Sequence, residues 1–333
     1  MNYNLCQIAQ FLFSIHLITS ILGSIFFYII QKLRYKYKHS LPTSFHCTLL
    51  KSAMIFFFVP NTMILYIFAF MHYSNDFFIK NTSQLSNNHF SHIFHFFALI
   101  LLTIGFFKKV IGYIKLSMQL NKYGSFSSYQ ITNPDINELS DSIRKHYGIK
   151  RSLPIYIHPY IPSPSISGIL HPKILLPENI VQQANRETLQ IILSHEFLHY
   201  KKKDMFWYYF SIVIQCIYWY LPSVNTLCAE LKIWLEYECD EYCCKENQKH
   251  YSKQDYFNTI LELLHNEKYN RHFTIGINFF KNKHQVEERI LYMHAKKDAS
   301  EIRTIFCIFI FLVLLSTYFC SLIISLVISL HLL

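Results

Sequence analysis

The sequence predicts an α-helical integral membrane protein with four transmembrane helices and, between the third and the fourth, one cytoplasmic α+β domain. Three observations predict it. The 333 residues are 52% hydrophobic and 17% aromatic but only 16% charged, a balance that belongs with membrane chains. The apolar residues gather in four runs, with Lys and Arg clustered beside them. The one long stretch with room for a soluble domain, 118–303, mixes helix and strand signals. A net charge of +10 would suit nucleic acid, but basic clusters that flank apolar runs suit the lipid surface instead, and no direct nucleic-acid binding is expected. The nine cysteines form no C-x-x-C pair and read as small buried hydrophobes, not as a disulfide framework.

The first run, 7–30, is about 36 Å long as a helix at roughly 1.5 Å per residue, enough for a hydrocarbon core of about 30 Å. It lacks a small-residue cleavage site, so it reads as a retained anchor. The second, 52–72, carries Pro60-Asn61 at mid-depth, which predicts a kink whose freed carbonyl a neighbouring helix must satisfy. The third, 91–107, ends at Lys108 and Lys109, which can snorkel to the surface. The fourth lies in 304–333. Residues 1–117 therefore hold three spans and their loops, 118–303 the domain, and 304–333 the last span.

Loop charge orients these spans. Lys32, Arg34, Lys36 and Lys38 follow the first; Lys108, Lys109, Lys115 and Lys122 follow the third; Lys296, Lys297 and Arg303 precede the fourth. The loop from Tyr73 to Asn88 holds only Lys80 against Asp76. The positive-inside bias puts 31–51 and 108–303 in the cytoplasm, with both termini outside.

Within the domain, Asn133-Pro134 followed by Ile136, Leu139, Ile143 and Tyr147, then Gly148, reads as a capped amphipathic helix. The runs 153–162 and 171–177, punctuated by proline, read as edge strands joined through Ser163 to Gly168. Asn185-Arg186-Glu187 opens a further helix that ends before Lys201 to Lys203.

On that helix stands His195-Glu196-Phe197-Leu198-His199. Histidines four apart project from one face and can share one Zn²⁺ ion per chain, while the adjacent Glu196 can act as general base on the water such a metal acidifies. A catalytic zinc needs a third protein ligand. The run 231–245 reads as a helix with Glu236 and Asp240 on one face. Glu236 is the best ligand candidate and Asp240 suits a supporting role behind a ligand. Glu241 is the weaker rival, and Cys239, Cys243 and Cys244 are weaker still.

Between the two motif helices lies the aromatic run 205–222. Were it a fifth span, His195 and Glu236 would lie on opposite membrane faces and could not share a metal. The run is therefore read as an interfacial or re-entrant segment ending at Pro222.

His195-Glu196-x-x-His199 with Tyr200-Lys201-x-Lys203-Asp204, and Glu236-x-x-Cys239-Asp240 downstream, resemble the BlaR1/MecR1 group of bacterial membrane metallopeptidases, the M56 peptidase family. Ser163-Pro164, Gly168, Pro172, Ile174, Leu176-Pro177 and Glu288-Arg289-Ile290 extend the likeness. The resemblance implies a gluzincin-like zinc metallopeptidase domain in which His195, His199 and Glu236 bind zinc, Glu196 is the base and Asp240 stands behind the ligands. It implies a protein substrate, a cytoplasmic transcriptional repressor or the chain itself, and a signalling role, with a homodimer and a separate sensor protein as partners to look for. The family's antibiotic-sensing members carry a penicillin-binding domain after the fourth helix; no S-x-x-K motif follows that helix here, and direct β-lactam sensing is not expected. Lys173, Ile174, Leu175 and Leu176 resemble the edge strand to which gluzincins add an extended substrate. His171 nearby is read as a surface histidine before an oxyanion ligand. The competing expectations are an M48-like quality-control protease and a non-catalytic receptor or scaffold with structural zinc, which would need a closed four-ligand shell.

Overall fold

The computed structural model describes residues 5–73, 97–98, 100–114, 129–130, 133–159, 161, 163–246, 251–266, 277–278 and 283–295. The chain divides into two compact units, Met1–Ile111 with Val213–Ala229 and Ala299–Leu333, and Gly112–Ile212 with Glu230–Asp298.

In the first unit, helices α1 (Leu5–Lys36) and α2 (Thr43–Tyr73) pack side by side across a short turn. Gly23 lets the Phe57 ring lie against α1, where a Cβ would come within 2.4 Å of it, and Phe26 stacks on Phe56 at 4.7 Å. Ile30, Leu50, Ala53 and Met54 are fully buried. The expected spans 7–30 and 52–72 fall within these two helices. Among the described residues no helix is long and apolar enough to cross a membrane. The side chains of 1–15 and 59–73, residues 91–96 and 99 of the run 91–107, and all of 304–333 lie outside the described residues.

Segment 213–229 belongs to this unit. Tyr218 stacks on His16 at 4.8 Å and its hydroxyl donates to the Phe57 carbonyl at 3.0 Å. Hydroxyls pair at 2.7 Å between Ser20 and Tyr220 and at 2.8 Å between Ser24 and Ser223.

The second unit is built on a sheet of five short strands: β1 (Tyr129–Gln130), β2 (Ile155–His158), β3 (Ser165–Ser167), β4 (Lys173–Pro177) and β5 (Ile277–Asn278). Their order is β1-β2-β4-β3-β5, with β2 and β4 parallel and the other pairs antiparallel. This corrects the strand reading. Lys173, Ile174, Leu175 and Leu176 are not an edge: β4 is bonded to β2 on one side and to β3 on the other. The prolines misled because Pro154 and Pro172 stand just before their strands and Pro177 at the last position of β4, where a missing N–H interrupts no ladder. The stretch read as a connection, Ser163 to Gly168, contains β3, too short at three residues to show an alternating pattern.

Helix α3 (Pro134–His146) has the expected cap, with Asn133 Oδ1 accepting from the Asp135 N–H at 3.0 Å, and buries Ile136, Leu139 and Ile143. After α4 (Glu178–Gln183), α5 (Arg186–Lys201) starts where Asn185 Oδ1 accepts from the Thr188 N–H at 2.8 Å. Its residues Ile191 to His199 are all buried, because α3 and β3 both pack on it. Helices α6 (Asp204–Ile217) and α7 (Pro222–Glu246) follow. Of their residues in this unit, Lys232 has its ammonium 4.6 Å from the Tyr208 ring, and Cys239 Sγ lies 3.5 Å from Asp204 Oδ2. Helices α8 (Lys253–Asn266) and α9 (Lys283–Ala295) complete the unit.

Among the described residues two glycines have positive φ, Gly148 (67°) after α3 and Gly168 (90°) between β3 and β4. A Cβ on Gly148 would meet nothing within 4 Å, whereas one on Gly168 would stand 2.5 Å from the His171 carbonyl oxygen. Gly148→Ala is expected to cost about 1–2 kcal/mol from its left-handed backbone alone. Gly168→Ala is expected to cost more, roughly 1–3 kcal/mol of backbone strain plus the clash. Urea unfolding of the two variants measures the difference; equal midpoints would remove the turn constraint argued for Gly168.

Candidate metal centre

Helix α5 places the His195 and His199 rings one turn apart, 4.7 Å between centroids and at 79° to each other. Their Nε2 atoms are 3.0 Å apart. Helix α7 brings Glu236 to the same point, its Oε2 3.3 Å from His195 Nε2 and its Oε1 3.5 Å from His199 Nε2. Nitrogen and carboxylate donors of these three residues all lie within 4.8 Å of one another, so the expected set is brought together. Glu241, the rival, is turned toward Lys245 at 2.7 Å, and His171 is exposed.

Each ring has its other nitrogen engaged. His199 Nδ1 meets Asp204 Oδ2 at 2.9 Å, and His195 Nδ1 meets the Tyr256 hydroxyl at 2.9 Å. Tyr256 in turn donates to Asp240 Oδ1 at 2.6 Å. From α9, Arg289 donates to Asp240 through Nε at 2.7 Å and Nη2 at 2.5 Å, and its Nη1 lies 3.2 Å from Glu236 Oε2. Partners of this kind orient ligand rings and leave the opposite nitrogen free for a metal. This is the fit a divalent ion requires: two imidazole nitrogens and a carboxylate facing one point, backed by groups that hold them there.

Electrostatics follow from burial. His195 is pushed well below its usual value by burial, then by His199. Burial opposes charge on His199 too, but Glu236 and Asp204 outweigh it and raise it to about 9. Glu196 is fully buried beside His195, and burial raises its carboxyl to about 8. Neither of its oxygens has a hydrogen bond of full geometry; the backbone of Ile166 in β3 offers a weak one. Glu236 is also raised by burial, against the pull of Arg289.

Three residues of the centre had no assigned role in the sequence reading. Asp204 closes the basic run after the histidines and Arg289 sits in Glu288-Arg289-Ile290, so each had a positional signal without a function attached. Tyr256 had none. Cys239 was weighed as a ligand; its Sγ lies 3.3 Å from His199 Nδ1, on the side of the ring away from Glu236, and a second donor group of His199, Asp204 and Cys239 forms there.

Comparison with known proteins places this geometry. The regulatory protein BlaR1 of Bacillus licheniformis is 28% identical over 143 residues, 43% of this chain and 22% of that protein. The methicillin resistance mecR1 proteins of Staphylococcus aureus and Staphylococcus epidermidis are each 21% identical over 152 residues, 43% of this chain and 24% of theirs. The chain spans less than a quarter of the length of these curated relatives. The family model for BlaR1 peptidase M56 matches residues 17–293, a range that takes in all the residues of the centre, and the chain therefore belongs to the M56 peptidases, a metallopeptidase family.

Proposed function

We propose that the chain is a membrane-embedded, zinc-dependent endopeptidase that hydrolyses peptide bonds at the cytoplasmic membrane face and signals by cutting a transcriptional repressor, itself, or both. The observation that carries this reading is the convergence of His195 Nε2, His199 Nε2 and the Glu236 carboxylate beside a buried Glu196. Support for the membrane placement is the four apolar runs and their basic flanks.

His195, His199 and Glu236 would hold one zinc ion, and Asp240 would support them. When bound, the ion supplies Lewis acidity that polarises a peptide carbonyl and makes water acidic. Glu196 handles the proton. Its carboxylate, without a strong hydrogen bond to compete, takes a proton from the attacking water and delivers it to the leaving amine. His195 and His199 carry no proton through the reaction, since each is held from behind by Tyr256 or Asp204.

Ile166 of β3 is the residue whose backbone reaches Glu196. Strand β3, like β4, is paired on both sides, to β4 and to β5, so substrate alignment is assigned to neither strand.

Glu196→Gln should retain zinc but lose cleavage by 10²–10⁴-fold, roughly the contribution of a positioned base. Mass spectrometry of the purified full chain would compare wild-type and variant fragments, and equal fragmentation of both forms would sink the role of Glu196. Glu236→Gln should weaken zinc binding in a chelator competition while Glu241→Gln leaves it unchanged; the reverse pattern would move the third ligand to Glu241.

Affinity for zinc should also depend on pH with a definite sign. His199 in the metal-free protein holds a proton up to about 9, and the metal must displace it. Apparent affinity should therefore rise with pH, roughly tenfold per unit for one released proton, and level off above about 9. A flat profile between neutral pH and that value would contradict the coupling of His199 to Glu236 and Asp204.

A further inference from the structure

We propose that Tyr256 is a positioning residue of the metal centre: anchored on Asp240, its hydroxyl accepts the Nδ1 proton of His195 and so keeps the Nε2 lone pair of that ring directed at the metal position. The inference rests on the reading of His195, His199 and Glu236 as metal ligands.

Hydrogen counting carries it. Arg289 presents only donors, and two of them, Nε and Nη2, close on the two oxygens of Asp240 at 2.7 and 2.5 Å. Opposite a guanidinium fork, Asp240 acts as an acceptor. The Tyr256 hydroxyl lies 2.6 Å from Asp240 Oδ1 and must donate there. A phenol has one proton to give, so the face of that oxygen turned to His195 is a lone pair. His195 Nδ1 stands 2.9 Å from it and can bond only by carrying a proton. The direct distance from His195 Nδ1 to Asp240 Oδ1 is 3.5 Å, beyond a useful hydrogen bond, so the tyrosine is the contact that sets the ring. His199 is held differently, by a carboxylate, with Asp204 Oδ2 at 2.9 Å. The two ligands therefore have unlike supports, a phenol for one and a carboxylate for the other.

The hydroxyl is separable from packing. The Tyr256 ring is fully buried, stacked near Tyr251 at 6.2 Å and edge-on to Phe257 at 5.8 Å, contacts a phenylalanine preserves. Removing the oxygen strands the Nδ1 proton of His195, while Asp240 Oδ1 keeps its bond from Arg289 Nη2. The ring then gains by moving its proton to Nε2, the tautomer with no lone pair facing Glu236 and His199.

The test is zinc binding by the purified full chain, wild type against Tyr256→Phe, in competition with a chelator, together with thermal unfolding of both metal-free forms. The expected result is a 10–100-fold weaker affinity in the variant, the effect of losing a ligand's outer partner, with the metal-free melting curve little changed. Equal affinities in wild type and variant would overturn the inference while leaving the metal centre standing; a wild-type chain that binds no zinc would overturn the metal reading on which it rests. A second measurement does not depend on the variant folding: nitrogen-15 NMR of the histidines in the metal-free wild type should show His195 protonated at Nδ1. A proton found at Nε2 alone would overturn the inference.

Discussion

Arg289 and Asp240 form the contact on which the rest of the second unit depends. The carboxylates of Glu196, Asp204, Glu236 and Asp240 and the guanidinium of Arg289 are all buried, and an ionised group removed from water costs several kcal/mol unless it is paired and hydrogen-bonded. Arg289 satisfies both oxygens of Asp240 and reaches Glu236 as well, so three charged groups on two helices are held at one place. That requires α9 to dock in one register. Tyr292 stacks on Tyr237 at 4.6 Å and meets Trp234 edge-on at 5.3 Å, while Lys253 of α8 donates to the Met293 carbonyl at 2.7 Å. Aromatic packing supplies the area and the ion pair supplies the register.

The α6–α7 pair serves the same end. His199 lies between Asp204, the first residue of α6, and Glu236, well along α7. Both contacts can exist only if the chain leaves the centre along α6 and returns along α7. Cys239 Sγ, nearly a turn beyond Glu236, lies 3.5 Å from Asp204 Oδ2 at the start of α6, which supports reading the aromatic run 205–222 as a segment that returns to the same side.

Legibility in the sequence tracked the range of the forces involved. Caps at Asn133 and Asn185 are local hydrogen bonds between neighbours, and both helices begin where they were read. His195, Glu196 and His199, and Glu236 with Asp240, were legible because a helical repeat fixes which side chains share a face. The strands were not legible: three residues of β3 and two of β5 carry no period, and only pairing partners distant in sequence make them strands. Tyr256 and Arg289 escaped assignment for the same reason. Their roles exist only when α8 and α9 pack beside α7, and a tyrosine or arginine in an amphipathic stretch does not announce such a partner.

The pattern of satisfied and unsatisfied groups separates the work of support from the work of chemistry. Asp240 receives three donors, and both histidine Nδ1 atoms have partners. Glu196 is fully buried and Glu236 nearly so, and none of their four oxygens has a hydrogen bond of full geometry, although Arg289 Nη1 lies 3.2 Å from Glu236 Oε2. Leaving buried carboxylates so poorly met is costly, and groups in that condition in a native fold call for a reason such as a catalytic role or an absent ion. Support for the fold alone would be better served by residues like Asp240. In the proposed function these are the two carboxylates with work to do, Glu236 holding a cation and Glu196 passing a proton, while Asp240 is met by Tyr256 and Arg289.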